Sequence, residues 1–569
     1  MKKFFQNFKE CKTWRSKVLA AYVWLVFVGY ALAYIDISGL EAKRRMYIIS
    51  VIEVSLIAAI FISPKLLRWG SSYSIKPDLF TQKNKFFLSV WLIIFGIFFA
   101  MYIIFYPGGL SADNSSQLSQ ALTGKYNDHF PVLHTLFAFT LPLKLTHGWG
   151  GVINLSQIIL FSFALAYAIF TLREYGNYSY CKFFLYYILL NPATLNMAIV
   201  PLKDTSFAIF AMLLAAFIVR IHFTNGIWLT APVHSAVFTI AMVLCTIFRH
   251  NAILFTLPIF VTASLYITKK RAFVMFVCFI SLVYLIRYPV YNALKVERPL
   301  DNRQIEMLGM PMTIIGNAVK EVPDKLDADV LDFAHQIAPQ VIWEDFYEKY
   351  RGFNSIKFAE YRIGKQKEIT RGVINIGVIE KTGWKRVLYF MLKCFKNAPL
   401  ESLCGMFATT NTVHGLFGQT LQFDIPEIES NDLGLKHQFL LPIKPLSKIV
   451  KKFFPVKYIA GMMKDDEVTI QGIIAIAFYA VMVLFNYLFQ YVGLINLIVL
   501  VFILAKLKFN RRQDWKRLCF ALSLLCYNFG TMLLLTGPNF RFFYYSYLVF
   551  PLILLVLANS NCEVGNHAY

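Results

Sequence analysis

The sequence predicts an all-α integral membrane protein, with about 12 transmembrane helices and a mostly helical extracytoplasmic domain. Of its 569 residues, 57% are hydrophobic and only 16% are charged, whereas soluble domains average about 25% charged residues. Apolar stretches that are long enough to cross a hydrocarbon core of about 30 Å recur along most of the chain. The one extended polar region, residues 291–466, has helical patterning instead of alternating strands.

The candidate spans lie near residues 18–35, 46–63, 86–106, 152–171, 183–200, 205–221, 228–248, 251–267, 272–290, 470–489, 491–507, 518–536 and 541–558. A further apolar stretch at 131–145 is short and interrupted by Pro142, and it carries His134 and Lys144. An interfacial or re-entrant helix suits that stretch better than a span.

Basic segments predict the orientation, because loops rich in Lys and Arg stay in the cytoplasm. Residues 1–17, 64–85 and 269–271 are such segments, so we expect a cytoplasmic N-terminus and outer positions for 107–130 and 291–466. Residues 506–517 hold six basic side chains and must also be cytoplasmic, which requires that one piece of 470–507 does not cross. About 12 true spans result.

This topology divides the chain into three parts. Residues 1–290 form an N-terminal transmembrane module that includes the first outer loop at 107–130. Residues 291–466 form the extracytoplasmic helical domain, and residues 467–569 form C-terminal transmembrane helices.

The formal charge of +23 would suggest nucleic-acid binding in a soluble protein. Here the basic residues collect in short loops between spans, so we predict no nucleic-acid partner. Nine cysteines are scattered without a CxxC pair or a His/Cys cluster, and we predict no metal site from the residues.

Four polar clusters come to the outer face in this topology, and the first is in the loop after the third span. Pro107, Gly108 and Gly109 end the span, and a Ser/Asp/Asn run follows. Asp113 and Asn114 then lie at the mouth of a bilayer cavity, where Asp113 is either a functional carboxylate or the cap of the following helix.

The second cluster holds Asp128, His129 and His134. A carboxylate and two imidazoles within seven residues can orient a substrate or assist proton transfer. The alternative is a solvated loop in which Pro131 begins a helix.

The remaining clusters are at span boundaries. Lys203 and Asp204 separate two apolar spans, Arg249 and His250 lie at another outer boundary, and Arg541 precedes the last span. Ionisable groups at such depth are costly, which favours function. They are suited to a phosphate, although a salt-bridged pair or ordinary headgroup contacts would also explain them.

The nucleotide-binding motifs are absent from the sequence. Gly108 and Gly109 have no following GK[ST], and HExxH and GxSxG do not occur. An enzyme with this sequence would therefore draw an activated substrate from the membrane and not from cytoplasmic nucleotide.

The order of these segments carries a resemblance to a known family. YPGGLSADNSSQ, DHFPVLHT, PLKDTSFA, FRHN and FRFFYYSYLVFP resemble an uncharacterised bacterial polytopic family that is grouped with the GT-C-type glycosyltransferases. The long-loop segments EMLGMPMTIIGNAV and FNSIK are similar to that family too, so the resemblance covers most of the chain.

The resemblance implies an inverting transfer of a sugar from a polyprenyl-phosphate donor to a cell-envelope glycan or lipid acceptor, on the periplasmic face of the bacterial inner membrane. Asp113 matches the catalytic carboxylate of the first outer loop. Lys203, Arg249 and Arg541 are the candidates for binding the donor phosphate. The family often carries two adjacent acids where this chain has Asp113 and Asn114. The resemblance therefore leaves open whether the enzyme uses a divalent cation.

The other side chains of the four clusters are candidates for positioning substrates: Asn114, Asp128, His129, His134, Asp204 and His250. Two alternatives remain at this point. An O-antigen polymerase or ligase also uses polyprenyl-linked sugars, and a lipid-linked glycan flippase or transporter would also span the membrane. A transporter predicts ionisable residues near the midplane, whereas these gather at one face.

Overall fold

The computed structural model describes residues 13–34, 41–109, 112–297, 307–357, 373–414, 491–534 and 540–559, with isolated positions between 359 and 481. The candidate span at 470–489 lies almost wholly outside the described residues. So does most of 415–462, within the predicted extracytoplasmic domain.

The described chain is helical apart from a pair of two-residue strands, β1 (Met463–Lys464) and β2 (Glu467–Val468). The first half contains α1 (Trp14–Tyr34), α2 (Glu41–Ser72), α3 (Lys83–Ile104), α4 (Ala112–Thr123), α5 (Val132–Leu145), α6 (Gly151–Tyr175), α7 (Tyr178–Leu189), α8 (Pro192–Ile199), α9 (Lys203–Phe223), α10 (Pro232–Ile247), α11 (Ile253–Ser264) and α12 (Lys269–Ala293). The second half contains α13 (Gly309–Glu321), α14 (Ala328–Ile337), α15 (Gln340–Phe346), α16 (Asn354–Lys357), α17 (Gly377–Thr382), α18 (Trp384–Asn397), α19 (Pro399–His414), α20 (Val492–Lys506), α21 (Arg512–Met532) and α22 (Tyr545–Ala558).

Among these residues, seven helices are long and apolar enough to cross a bilayer: Trp14–Ala33, Met46–Ser72, Lys83–Ile104, Gly151–Tyr175, Lys203–Phe223, Lys269–Ala293 and Phe540–Ala558. Four shorter apolar helices accompany them: Val132–Leu145, Pro232–Ile247, Ile253–Ser264 and Val492–Lys506. The prediction of a helical membrane protein is therefore confirmed.

The stretch 183–200 does not form the single helix that a continuous span requires. It breaks between α7 and α8 at Asn191 and Pro192, because proline lacks the N–H that would continue the helix. The Asn191 side chain accepts a hydrogen bond from the Ala193 N–H at 3.0 Å and so caps α8. Two short helices meet at this point, and the second leads directly to Lys203.

Helices α9 and α22 form the centre of the bundle, where almost every side chain is buried. The Phe207 ring of α9 stacks on Tyr527 of α21 with 4.8 Å between ring centroids. At the periphery, α12 exposes large apolar side chains such as Phe273 and Tyr284. An apolar exterior around a packed centre is expected where lipid is the neighbour.

The first helix packs against helices from the far end of the sequence. Leu19 of α1 and Val501 of α20 belong to one buried apolar cluster. The guanidinium of Arg15 donates to the carbonyl oxygens of Leu504 and Leu507 at 3.0 and 2.8 Å. These carbonyls at the end of α20 have no partner within their helix, so α1 caps α20.

Residues between 308 and 398 have a hydrophobic core of their own. Trp343 is fully buried and donates through Nε1 to the carbonyls of Ala334 and Ala338. Tyr347 donates to the carbonyl of Thr313 at 2.7 Å. Because these buried polar atoms are satisfied, the core fixes the relative positions of α13, α14 and α15.

Helix α19 leaves this second core and runs along α1. Leu400 and Leu403 belong to the same apolar cluster as Leu32, near the C-terminal end of α1. Further along, Thr410 and Tyr22 line the same apolar cavity of about 380 Å³. Tyr22 lies roughly 15 Å from Leu32 along α1, since a helix rises about 1.5 Å per residue. Helix α19 therefore follows α1 for about half the length of that helix.

Candidate functional site

The loop after α3 is held in place by its backbone. Asn154 of α6 donates through Nδ2 to the carbonyl of Pro107 at 2.7 Å. The Gly109 N–H donates to the carbonyl of Ile199 at 2.9 Å. Gly108 has a φ of 107° and abuts Asn154, so that a Cβ at this position would lie 2.2 Å from Nδ2. Glycine is therefore required where the chain turns towards α4.

Two glutamine side chains fix α4 after this turn. Gln120 accepts a hydrogen bond from the Asn127 N–H at 3.1 Å through Oε1. The amide nitrogen of Gln117 lies 2.9 Å from Nδ1 of His134. Asp113 is in the first turn of this helix, and the two contacts set the direction in which its carboxylate points.

The carboxylate of Asp113 meets two cations from distant parts of the chain. Its Oδ2 lies 3.2 Å from Nη2 of Arg541 and 3.7 Å from Nζ of Lys203. The side chains of Asp113, Lys203 and Arg541 are 27%, 20% and 18% exposed. These three groups form the accessible layer of the site.

A second, buried layer lies behind the first. The side chain of Asp204 has no exposed surface and forms a salt bridge with Nη1 of Arg249. Nε of Arg541 lies 3.6 Å from the other Asp204 oxygen. Asp204 therefore links the two arginines, and Arg541 bridges both carboxylates.

Arg249 is also held from its other side. Its Nε donates to Oδ1 of Asn251 at 2.8 Å, and the Asn251 amide donates to the Thr531 hydroxyl at 2.7 Å. The guanidinium carbon lies 4.7 Å from the centroid of the Phe542 ring. Charge pairing, hydrogen bonds and ring contact together immobilise Arg249.

Phe130 covers the amine of Lys203, the third cation of the site. The Lys203 amine lies 4.6 Å from the centre of the Phe130 ring, within the range at which a cation interacts with the face of an aromatic ring. Lys203 is thus held between a carboxylate and an aromatic side chain, and part of its surface stays accessible.

The charges of the cluster also determine the ionisation of Asp113. Burial alone would raise its pKa, but Arg541, Lys203 and His129 stabilise the charged form and hold the pKa below its ordinary value. The cluster combines three cations with two carboxylates, which leaves one positive charge in excess. Such a site attracts an anion.

The other predicted residues have different surroundings. His134 is fully buried, with Nε2 3.0 Å from the Ser206 hydroxyl. Asn114 is buried on α4, and the N–H of the buried Asp128 donates to the carbonyl of Glu297. His250 is exposed, unlike its neighbour Arg249. The structure thus joins Asp113, Lys203, Asp204, Arg249 and Arg541 directly, with His129 near enough to influence Asp113.

Several residues at the site were not among the sequence candidates: Gln117, Phe130, Ser206, Asn251 and Phe542. Ser206 follows Lys203 by one helical turn, and Gln117 follows Asp113 by one turn, so helical spacing could have indicated both. Phe130 and Phe542 are two among 54 phenylalanines, and nothing in the sequence distinguishes them.

Within the described residues, no group of three or more His, Cys, Asp or Glu side chains is arranged to hold a metal ion. Comparisons of the chain with protein-family profiles, with curated proteins and with solved structures found no match. The geometry of the site and the fold therefore carry the functional argument.

Proposed function

We propose that the protein is an inverting membrane glycosyltransferase, which moves a sugar from a polyprenyl-phosphate donor to a cell-envelope glycan or lipid acceptor. In this proposal the chain crosses the bacterial inner membrane about 12 times, with its N-terminus in the cytoplasm and its site on the outer face. The proposal rests on one observation above all, the five-residue charge cluster of Asp113, Lys203, Asp204, Arg249 and Arg541 at one end of an apolar helix bundle.

The accessible layer is suited to the donor phosphate. Lys203 and Arg541 keep part of their surface exposed, and a guanidinium can bind two phosphate oxygens at once. Arg249, which the sequence placed in the same role, is engaged by Asp204 and Asn251. In the proposed site Arg249 therefore positions Arg541 through Asp204 and does not contact the phosphate itself.

Asp113 is the proposed general base. The acceptor hydroxyl oxygen attacks the anomeric carbon and forms the new glycosidic bond, while the bond from that carbon to the phosphate oxygen breaks with inversion. The hydroxyl proton passes to the Asp113 carboxylate. The electron pair of the broken bond remains on the polyprenyl phosphate, whose growing charge is stabilised by Lys203 and Arg541.

The ion pairs of Asp113 couple donor binding to this chemistry. Lys203 and Arg541 neutralise the carboxylate in the structure described here, and a carboxylate bound in this way is a weak base. A phosphate that binds the same two cations replaces Asp113 as their counter-ion. Asp113 becomes a stronger base when the donor is bound, so the proposed order is donor first and acceptor second.

The test is a transfer assay on the full chain in proteoliposomes, with a panel of radiolabelled undecaprenyl-phosphate hexoses and an envelope extract as acceptor. We expect wild-type protein to transfer label and Asp113→Asn to lose at least 100-fold in kcat, the lower range for general-base removal. The matched control is Asp332→Asn, which makes the same change at an exposed carboxylate on α14 and should leave the rate unchanged.

Lys203→Gln tests the phosphate role separately, since loss of a ground-state contact raises the KM for the donor. Unimpaired transfer by correctly inserted Asp113→Asn would refute the base assignment. An unchanged donor KM in Lys203→Gln would refute the assignment of Lys203 to the donor phosphate. Absence of transfer by the wild-type protein with every hexose would overturn the proposed function.

A further inference from the structure

Helix α18 is anchored to the second hydrophobic core by one of its faces. Val387, Phe390 and Cys394 are buried there at helical spacing. Phe333 of α14 lies 5.0 Å from Phe390 between ring centroids. This face accounts for the folding of the helix but not for its remaining apolar side chains.

A second face of α18 carries an apolar stripe that the described residues leave uncovered. Trp384, Leu388 and Leu392 are four residues apart and form one row along the helix. Trp384 is 53% exposed and Leu392 is 60% exposed, and Leu388 is half-buried. A tryptophan and two leucines in one row form an unusual surface for contact with water alone.

Basic side chains border this stripe on one side. Lys385 and Lys396 are both exposed, and the Lys385 amine lies 5.6 Å from the centre of the Trp384 ring. A row of apolar side chains beside lysines and an exposed tryptophan is typical of helices that lie in the headgroup region of a bilayer.

The rotation of the helix about its axis is fixed by its other flank. Lys393 forms ion pairs with Asp327 at 2.9 Å and Asp329 at 2.8 Å. The Asn397 amide donates to Asp327 at 2.8 Å. These contacts attach one edge of α18 to the start of α14, so the apolar stripe must face outwards.

The next helix fixes the height of α18 relative to the bilayer. One residue separates α18 from α19, and Leu400 and Leu403 of α19 lie in one apolar cluster with Leu32. Leu32 is two residues from the end of α1, which is long and apolar enough to span a bilayer. The C-terminal end of α18 is therefore level with the end of a membrane helix.

Polar contacts also hold α19 near His414, the last residue of this segment that the structure describes. The amide of Asn496, in the first half of α20, donates to the carbonyl of Val413 at 3.0 Å. The Asn496 oxygen accepts from Asn528, whose own oxygen accepts from the Tyr545 hydroxyl. These contacts satisfy buried polar groups within the protein, because lipid offers no hydrogen-bond partners.

We propose that α18 and α19 form a membrane-bound elbow, in which α19 enters the bilayer along α1 and α18 lies flat on the bilayer surface. The stripe of Trp384, Leu388 and Leu392 enters the boundary between headgroups and acyl chains. Lys385 and Lys396 lie at the lipid phosphates. We assign this surface to the bilayer because α18 is joined directly to α19. Helix α19 is already packed along α1, which is long and apolar enough to span a membrane.

The test places the photoreactive residue benzoylphenylalanine at position 392 of the full chain, reconstituted in nanodiscs of phosphatidylethanolamine and phosphatidylglycerol. Position 276 on α12 is the lipid-facing reference, since Phe276 is an exposed residue of a long apolar helix. Position 386 is the matched control, because Arg386 is exposed on the same helix but outside the stripe. Mass spectrometry after irradiation measures the lipid adducts.

We expect the yield of lipid adducts at position 392 to approach that at 276 and to exceed that at 386 several-fold. Equal low yields at 392 and 386 would overturn the proposal, because the stripe would then face water. A crosslink from 392 to a second copy of the chain, or to another protein, would also overturn it. This readout does not depend on glycosyl transfer.

Discussion

The buried carboxylate of Asp204 leads to the sharpest prediction about stability. Its side chain is completely buried and pairs with Arg249, which is only 10% exposed, and Arg541 approaches its second oxygen. The change Asp204→Asn removes the negative charge and leaves the Arg249 guanidinium buried without its counter-ion. Removal of one partner from a buried pair costs about 3–5 kcal/mol.

The measurement is the free energy of unfolding in mixed micelles, compared between variants of the full chain. Asp113→Asn is the matched control, because its ion pairs at 3.2 and 3.7 Å are partly exposed to solvent. Solvent-screened pairs contribute only about 0–1 kcal/mol. We therefore expect Asp204→Asn to lose several times more stability than Asp113→Asn.

A double variant, Asp204→Asn with Arg249→Gln, separates lost pairing from lost packing. Removal of both charges eliminates the uncompensated cation, and such replacements are often close to neutral. The double variant should therefore recover much of the loss of the single variant. Equal losses in Asp204→Asn and Asp113→Asn, or no recovery in the double variant, would refute the two-layer description of the cluster.

Three further predictions concern neighbouring parts of the site and the bundle. Phe130→Leu should raise the donor KM about two- to fivefold in steady-state kinetics, because the ring contact of Lys203 contributes roughly 0.5–1 kcal/mol. Asn496→Leu should lower the free energy of unfolding by about 1–2 kcal/mol, since the Val413 carbonyl loses its donor within lipid. The stability difference between wild type and Asp113→Asn should be constant above about pH 4, the ordinary pKa of aspartate. It should shrink as the pH falls further and vanish below the lowered pKa of Asp113, because a depressed pKa stabilises only the ionised state.

Each of these three has a contrary outcome. A donor KM that does not change in Phe130→Leu would mean that the ring does not hold Lys203. Wild-type stability of Asn496→Leu would mean that the Val413 carbonyl of α19 needs no donor from α20. A stability difference that grows as the solution becomes more acidic would have the wrong sign for a carboxylate held by cations.

The charge cluster shows how much of a site can be predicted from sequence. Basic residues are expected mainly at the cytoplasmic ends of spans, so the charged residues predicted at the outer ends, Asp113, Lys203, Arg249 and Arg541, were visible as candidates. Their pairing was not visible, because Asp204 and Arg249 are 45 residues apart and the sequence offered three candidate carboxylates, Asp113, Asp128 and Asp204. Only tertiary packing assigns Arg249 to the buried layer and Arg541 to both carboxylates.

A similar share of the fold was predictable from the sequence. Composition and apolar length predicted a helical membrane protein, and the turn at 107–109 was visible from its proline and glycines. The break at Asn191 and Pro192 carried a local signal that average hydrophobicity hides. The path of α19 along α1 carried no such signal, because a 16-residue helix among polar segments resembles an ordinary helix of a soluble domain.

The contact between α1 and α20 also constrains how the chain assembles. Leu19 and Val501 are almost 500 residues apart, and ribosomes add about 5–20 residues per second. The helix that enters the membrane first must therefore wait roughly half a minute to a minute and a half for its packing partner. During that time lipid, or an insertion factor, covers the face of α1 that later meets α20, and the exposed carbonyls of α20 gain their cap from Arg15 only in the last stage of synthesis.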